Sequence, residues 1–208
     1  MKRTWAITLT IAIIASLTPF TPVVHAQTSL DSSSPQIIGG PMPARLFLGP
    51  TFLHADGSRL YVVEELAVRV QSLFPQNDYL LGTFGFKTGQ MFKPGGITTY
   101  QGISYITDTA QSKILVYGKM GEYQGEFKVK DQAQKPVLVN PIGISSYQGR
   151  LYIANSGDGN IAVCDTNGKF IQRISKKGTG EGELLYPTGI CVASGKIFVT
   201  DPEAGKIE

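Results

Sequence analysis

The sequence predicts an all-β protein built from repeated, four-stranded antiparallel sheets. A proline opens each repeat, and successive prolines are 44, 47 and 46 residues apart. The opening residues are Pro50, Pro94, Pro141 and Pro187. An aromatic residue stands eleven positions after each proline, and a β-branched apolar residue stands twenty positions after it. These residues are Tyr61, Tyr105, Tyr152 and Phe198, and then Val70, Ile114, Ile161 and Ile207. Because repeats of about 20 to 50 residues indicate stacked supersecondary units, the whole repetitive region is expected to form one architecture.

Each unit contains four short apolar stretches separated by turn residues, which is the pattern of an antiparallel meander. In the second unit the strands are expected at 96–98, 104–108, 113–117 and 123–129. The third stretch is apolar on consecutive residues, whereas a sheet with one wet face would alternate apolar and polar residues. No unit has a 3.6-residue apolar stripe, which excludes helical solenoids of similar period. The sheets should therefore be covered on both faces, as in a β-propeller with four strands per blade.

Glycine recurs at fixed positions where the backbone of such a blade would need it. Positions eight and twenty-seven after the proline predict tight hairpin turns with positive φ. The residues are Gly102, Gly149 and Gly195 at the first turn, with Asp56-Gly57 one residue early in the first unit, and Asn77, Gly121 and Gly168 at the second. Position two holds Gly96, Gly143 and Gly189, with Phe52 in the first unit. If the first strands line a central axis, glycine at position two is expected to relieve crowding there.

The repeat resembles the NHL family of β-propellers. The family pattern has the form proline-x-glycine-isoleucine, aromatic-valine-x-aspartate, a basic residue before isoleucine-x-valine, and a glycine turn. Here it reads PGGI, YITD, KILVY and GKMGEY, then PIGI, YIAN, NIAVC and DTNGKF, then PTGI, FVTD and GKI. The glycine-rich link GTGEGELLYP also resembles the connector of that family. The resemblance covers the chain from about Ile37 to its end, and it implies a fold without fixing a function.

The start of the chain predicts export. Residues 1–26 form a signal peptide, with Lys2 and Arg3 before an apolar run that is too short to span a bilayer, and small residues before the expected cleavage at Ala26. An uncleaved membrane anchor is the alternative. Residues 27–36 are expected to be a flexible leader, and residues 37–208 the propeller. Blades are expected at about 50–93, 94–140, 141–186 and, in part, 187–208, in a secreted or periplasmic protein without a membrane span after cleavage.

The charge of the chain argues against nucleic-acid binding, and its two cysteines leave a disulfide open. Removal of Lys2 and Arg3 from the 19 basic residues leaves a near balance with the 16 acidic residues, which is not typical of a nucleic-acid-binding protein. Cys164 and Cys191 could form a disulfide in an oxidising compartment, or they could be two small buried hydrophobic residues. No motif predicts a cofactor or a metal site.

An acidic or amide residue ends every second strand, fourteen positions after the proline, and a basic or amide residue follows five positions later. The pairs are Glu64 with Arg69, Asp108 with Lys113, Asn155 with Asn160, and Asp201 with Lys206. A ring of carboxylates could hold a metal or a cationic ligand. Because the third unit replaces the acid and the base together, we instead predict structural pairs that meet across the loop.

Binding is expected at the loops between second and third strands, because function tends to lie on loops held by a rigid frame. The candidate residues are Glu65, Thr109, Gln111, Ser156, Asp158 and Glu203. They would contact a protein or small-molecule partner whose identity the sequence does not give, so the first hypothesis is a binding scaffold. The alternative is an enzyme of the lactonase or lyase kind, which the family resemblance allows, with His54 as a lone general base. No catalytic residue is assigned.

The repeat count predicts that this chain holds part of a six-bladed propeller. Ile37 lies thirteen residues before Pro50, as Leu81 does before Pro94, which is the place of a fourth strand. Such a strand would close a ring on the final blade. The last residues, Ile207 and Glu208, fall within the third strand of the fourth unit. A closed four-bladed ring is the alternative, and six blades is the number that the family resemblance implies.

Overall fold

The computed structural model describes residues 47–57, 59–73 and 79–208 in full, together with the backbone of three short strands before residue 47. The chain divides into two compact units, Met1–Leu48 and Gly49–Glu208. In the first unit, β1 (Ile13–Ile14), β2 (Val23–Ala26) and β3 (Gln36–Ile38) form a three-stranded antiparallel sheet. The remainder of the expected signal peptide and leader lies outside the described residues. No helix in the described part of the chain is long and apolar enough to cross a membrane.

The second unit contains four consecutive antiparallel sheets. The first comprises β4 (Pro50–Asp56), β5 (Arg59–Glu64), β6 (Arg69–Leu73) and β7 (Tyr79–Leu81). The second comprises β8 (Pro94–Tyr100), β9 (Ile103–Asp108), β10 (Lys113–Tyr117) and β11 (Tyr123–Phe127). The third comprises β12 (Pro141–Tyr147), β13 (Arg150–Asn155), β14 (Asn160–Asp165) and β15 (Phe170–Ile174). The fourth comprises β16 (Ile190–Ala193), β17 (Lys196–Asp201) and β18 (Lys206–Ile207). Each sheet pairs its strands in chain order, so the predicted propeller of meander blades is confirmed.

The hairpins have the turn chemistry that their sequences predict. In the second and third sheets, the two residues between the first and second strands both have positive φ: +51° at Gln101 and +80° at Gly102, then +47° at Gln148 and +73° at Gly149. This is the signature of a type I′ turn, whose twist matches that of the flanking strands. At the second predicted turn position, Gly121 and Gly168 both have φ of +84°, and Asn77 lies outside the described residues.

The sheets stack face to face, and each interface contains an apolar cluster. The third strand of the second sheet shows why its apolar residues are consecutive. Ile114 packs toward the third sheet, with Ile144 and Ile153, whereas its neighbour Leu115 packs toward the first sheet, with Val63. Both side chains are fully buried. The predicted burial on both faces is therefore confirmed, because adjacent residues of a strand point to opposite faces.

The first strands of consecutive sheets, β4, β8, β12 and β16, lie side by side. Glycine permits this approach. A Cβ added to Gly96 would lie only 3.0 Å from the carbonyl oxygen of Ile142, and one added to Gly143 would clash with the carbonyl oxygen of Thr188, at 2.3 Å. The predicted crowding along a central axis is thus found between the second, third and fourth sheets.

Strand β3 includes Ile37, where the sequence predicts a strand that closes a ring on the final blade. The strand forms, but its partner in the structure is β2, with His25 opposite Ile37. The closing of a ring on a final blade by this strand stays a prediction.

The two cysteines are both free thiols. Cys164 belongs to the core between the second and third sheets, whereas Cys191 is exposed on β16. Burial, helped by the charge of Asp165, raises the pKa of the Cys164 thiol to about 12. The two cysteines therefore do not form a disulfide, and the alternative of two buried hydrophobic residues is confirmed for Cys164 and wrong for Cys191.

We expect iodoacetamide to modify Cys191 in the native protein and to leave Cys164 intact, because the thiolate is the reactive species and Cys164 is both buried and neutral. Peptide mass spectrometry after labelling with and without denaturant gives the measurement. Equal native labelling of both thiols would contradict the buried position of Cys164.

Candidate functional site

The predicted binding residues divide into exposed and buried groups. Glu203 is exposed, and Glu65, Gln111 and Asp158 are partly exposed. Thr109 and Ser156 are buried, which corrects the expectation that they face a partner. The Ser156 loop forms a single 3₁₀ turn, Ser156–Asp158, which ends at Gly159 with φ of +58°.

Thr109 and Ser156 connect neighbouring sheets. Thr109 Oγ1 donates a hydrogen bond to the carbonyl of Pro141 at 2.7 Å, and Ser156 Oγ donates to the carbonyl of Pro187. Both hydroxyls stand fifteen positions after their own proline and bind the opening proline of the next unit. Their role is therefore to join blades, since a buried hydroxyl needs a partner and the proline carbonyl supplies one.

The residues at the ends of the second strands also have a structural role. The Asp108 carboxylate accepts hydrogen bonds from the backbone N–H groups of Phe92, at 2.8 Å, and Lys93, at 3.3 Å, as well as from Gln111. Asp201 accepts from Leu185 and Tyr186, and Asn155 Oδ1 accepts from Val139. Apart from that of Gln111, these backbone donors all belong to the segment before the proline that opens the same sheet. Each buried side chain therefore fixes the connector that leads into its own sheet.

The predicted acid–base pairs form in two units and not in the other two. Arg69 Nε donates to Glu64 Oε2 at 2.7 Å, and Asn155 Nδ2 donates to Asn160 Oδ1 at 3.1 Å. Asp108 and Lys113 do not pair, which corrects the prediction. The Lys113 ammonium donates to the carbonyl of Gln90, at 2.9 Å, and to the carboxylate of Glu126, at 2.8 Å.

Asp201 and Lys206 do not pair with each other either, which is the second correction of the prediction. The Lys206 ammonium donates to the carbonyl of Glu183 at 2.7 Å and to Glu208 at 2.6 Å. In both units the aspartate accepts from backbone N–H groups of the segment before the opening proline, and the lysine donates to a backbone carbonyl of the same segment. The physical reason is that the connector backbone offers each charge a partner of the opposite polarity.

A pocket of about 330 Å³ opens where the first strands of the four sheets begin. It is formed by the residues around the opening prolines and by the ends of the second strands and the loops after them. The lining residues are Thr51, Phe52, Glu65, Lys93, Pro94, Gly95, Thr109, Ile142, Thr188, Gly189 and Thr200. We call this cavity the axial pocket, because the first strands lie side by side around it. Among the predicted binding residues, it brings together Glu65 and Thr109.

The chemistry of the axial pocket is polar and mostly uncharged. Thr188 Oγ1 and Thr200 Oγ1 lie 3.0 Å apart, and Thr200 Oγ1 also accepts the N–H of Gly189. At the edge, the Lys93 ammonium pairs with the Glu65 carboxylate at 3.2 Å, and both side chains are about half exposed. Such a site can donate and accept hydrogen bonds at hydroxyls and can exchange a surface ion pair for a charged ligand group.

Sequence reasoning missed most of this pocket. Thr51, Gly95, Ile142 and Thr188 all stand directly after the opening proline, and Thr200 stands thirteen positions after it. The signal for these residues was the variable position x in the repeated proline-x-glycine pattern. The glycine after x faces the neighbouring first strand, so the residue at x faces the axis around which the first strands lie.

His54 lies outside the axial pocket. Its Nε2 accepts the backbone N–H of Thr99 at 3.2 Å and lies 2.9 Å from Thr99 Oγ1, so it links the first strands of the first and second sheets. Burial lowers the pKa of His54, and the charge of Asp56 opposes this effect only in part. Protonation of Nε2 would place two N–H donors, that of His54 and that of Thr99, against each other. This repulsion also favours the neutral imidazole over the imidazolium.

We expect acidification to destabilise the protein through His54. A group whose pKa is lower when folded binds fewer protons when folded, so stability falls as the pH drops through the unfolded value near 6.5 toward the folded pKa. His54→Gln should show a smaller loss of unfolding free energy between pH 8 and pH 5, measured by urea denaturation. An equal loss in both proteins would contradict this account.

Comparison with known proteins supports the fold. A family model, DUF5128, described as a 6-bladed beta-propeller, matches residues 132–207. No curated protein matches the sequence. Among the described residues, no three histidine, cysteine, aspartate or glutamate side chains come together as metal ligands.

Solved structures of low sequence identity share the architecture. A nidogen/laminin complex matches with a TM-score of 0.64 at 19% identity, over 89% of this chain and 66% of that chain. A glutaminyl cyclase of Myxococcus xanthus matches with a TM-score of 0.56 at 18% identity, over 88% and 78%. A streptogramin B lyase matches with a TM-score of 0.61 at 16% identity, over 89% and 57%. The chain thus spans less than two thirds of two of these chains, and at such identity the likeness concerns the fold alone.

Proposed function

We propose that this chain is an exported β-propeller of the NHL type that acts as a binding module, with the axial pocket as its ligand site. The observation that carries the proposal is the pocket itself, which four sheets build together from the residues after their opening prolines. Concave sites with a few convergent polar groups are where proteins bind ligands. A polar group of a small molecule, or a side chain of a protein partner, would bond to the threonine hydroxyls there.

The enzyme alternative has less support. His54, its candidate base, is not among the residues that line the axial pocket, and its Nε2 is engaged with Thr99. A general base must reach the proton that it removes. The lining residues also lack a nucleophile beside a base, since the hydroxyls of Thr188 and Thr200 bond to each other and to backbone groups.

The proposal can be tested by filling the pocket. Thr51 is exposed and lines the pocket, so Thr51→Arg should block it without disturbing the core. The matched control is Asn167→Arg. Asn167 lies in an exposed turn between β14 and β15, at the ends of the strands that are opposite to the axial pocket. Thermal-shift screening of small polar compounds, and affinity capture from the envelope and secreted fractions, should identify ligands that wild type and Asn167→Arg bind.

Thr51→Arg should weaken the binding of those ligands at least tenfold. Equal binding by all three proteins, or no ligand for wild type in either assay, would overturn the proposed site. Export is tested separately, by N-terminal sequencing of the protein recovered from the periplasm or the medium. The expected first residue is Gln27, and an intact Met1 in the cytoplasmic fraction would contradict export.

A further inference from the structure

Three phenylalanines form an exposed patch on residues 82–93, the segment that joins the first sheet to the second. We call this segment the first connector. Phe84, Phe86 and Phe92 are 61%, 68% and 37% exposed. The rings of Phe86 and Phe92 stack with centroids 4.5 Å apart, and those of Phe84 and Phe92 are 5.4 Å apart. A cluster of exposed aromatic side chains of this kind marks an interaction site more often than single exposed residues do.

The first connector is held rigidly to the sheet beneath it. Its backbone N–H groups at Phe92 and Lys93 bind buried Asp108, and its carbonyl at Gln90 accepts from buried Lys113. Gly89 N–H donates to Glu126 at 3.0 Å. The aromatic patch is therefore preorganised, and little conformational entropy would be lost when a partner binds it.

An equivalent connector in the same chain shows that the fold does not need these phenylalanines. We call residues 175–189, which join the third sheet to the fourth, the third connector. The parallel bridge Phe84↔Met91 of the first connector corresponds to Lys177↔Leu184 of the third. The same backbone bonds close both turns: Gly85 N to Met91 O at 2.9 Å, and Gly178 N to Leu184 O at 3.1 Å.

Where the first connector has Phe84 and Phe86, ten and eight residues before its proline, the third has Lys177 and Thr179. A capping carboxylate, Asp201, and a base, Lys206, also recur there. The aromatic side chains are thus free of any role in closing the loop, and their exposure remains to be explained by binding.

We infer that the first connector is a docking surface for a protein partner, through a segment that carries an apolar side chain and at least one carboxylate. The phenylalanines would pack against the apolar side chain, as rigid aromatic anchors do at interfaces. The carboxylate follows from the charges at the patch: Lys87 is exposed, and it has no acidic partner within the described part of the chain. Lys93, beside Phe92, is exposed as well and pairs with Glu65.

The same charges disfavour a membrane surface. Recognition of anionic lipid headgroups typically takes about four to eight clustered basic residues. Of the two lysines in the first connector, Lys93 is already paired with Glu65 at 3.2 Å, which leaves Lys87. One unpaired lysine suits a single carboxylate of a peptide better than it suits a charged bilayer.

This inference rests on the proposed binding function, and its test uses a different part of the surface. Random dodecapeptides displayed on phage are selected on the wild-type chain, with counter-selection on a Phe84→Lys/Phe86→Thr double variant. That variant carries the residues of the third connector, so it should keep the wild-type melting temperature. Selected peptides are then synthesised, and their affinities are measured for wild type, the double variant, Lys87→Glu and Thr51→Arg.

We expect the selected peptides to share an apolar residue flanked by Asp or Glu. Their affinity should fall at least tenfold in the double variant and about threefold or more in Lys87→Glu, and it should stay unchanged in Thr51→Arg. If no peptide is enriched on wild type over the double variant, or if enriched peptides lack a carboxylate, the inference is overturned. Should pocket ligands still depend on Thr51, the proposed function would remain while this inference falls.

Two further measurements address the other possible occupants. Co-sedimentation with vesicles of phosphatidylglycerol and phosphatidylcholine that depends on Phe84 and Phe86 would assign the patch to a membrane and overturn the inference. Concentration-dependent dimerisation in sedimentation velocity that the double variant abolishes would assign it to a second copy, with the same consequence. Wild type that stays monomeric and off vesicles, while it binds the acidic peptides, would support the inference.

Discussion

Asp108→Ala should lower the free energy of unfolding by about 3 kcal/mol or more. The Asp108 carboxylate is fully buried and accepts from Phe92 N–H, Lys93 N–H and Gln111, so its removal leaves several partly buried donors without an acceptor. Each such donor carries a desolvation penalty to the extent that water does not replace the carboxylate. Guanidinium denaturation followed by fluorescence or circular dichroism measures the change.

A matched control is Asp131→Ala. Asp131 accepts the N–H of Lys135 at 2.9 Å in an exposed turn, where water can replace the carboxylate, so its loss should cost less than about 1 kcal/mol. Asp108→Asn should fall between the two alanine variants, because Asn155 occupies the equivalent place in the third unit and accepts Val139 N–H through Oδ1. Equal costs for Asp108→Ala and Asp131→Ala would show that the capped connector does not stabilise the fold.

The sheets themselves were predictable because their signals are local and repeated. A strand that is apolar on consecutive residues requires cover on both faces, and Ile114 and Leu115 indeed lie in different interfaces. Turn glycines such as Gly102 and Gly149 report a backbone requirement that no distant residue can change. Four copies in register then fix the architecture without any knowledge of the contacts between sheets.

The contacts of the charged side chains were less predictable. Asp108 and Lys113 lie opposite each other in the strand register, and the joint replacement by Asn155 and Asn160 suggested that they meet. The asparagines do meet, but the longer lysine reaches past the aspartate to the carbonyl of Gln90. Every residue has a backbone N–H or carbonyl, so the sequence does not show which of them a buried charge will bind.

The candidate site was predictable only in part, for a related reason. Thr109 and Ser156 are small polar residues on loops, a description that fits both a ligand contact and a bond to the next blade. The axial pocket depends on Thr51 and Thr188 coming together from units more than a hundred residues apart. That juxtaposition follows from how the sheets stack around the axis, and no single repeat contains it.

The close stacking of the third and fourth sheets gives the second large prediction, for Gly143→Ala. A Cβ at this position would lie 2.3 Å from the carbonyl oxygen of Thr188 and 3.1 Å from the N atom of Ile190. Both are backbone atoms, which cannot rotate away, so strands β12 and β16 would have to separate. We expect a loss of about 3 kcal/mol in unfolding free energy, at the upper end of the cost of overpacking, measured by guanidinium denaturation.

Alanine variants of two other glycines serve as controls, because they separate the steric clash expected at Gly143 from the cost of replacing any glycine by alanine. Gly205 has φ of +64° with no atom within 4 Å of an added Cβ, so Gly205→Ala should cost about 1 kcal/mol through backbone strain alone. Gly96 faces the carbonyl of Ile142 at the milder distance of 3.0 Å, and Gly96→Ala should fall between the other two. If Gly143→Ala cost no more than Gly205→Ala, the first strands could not be as close as the structure places them. The axial pocket, which those strands form, would then have to be redrawn.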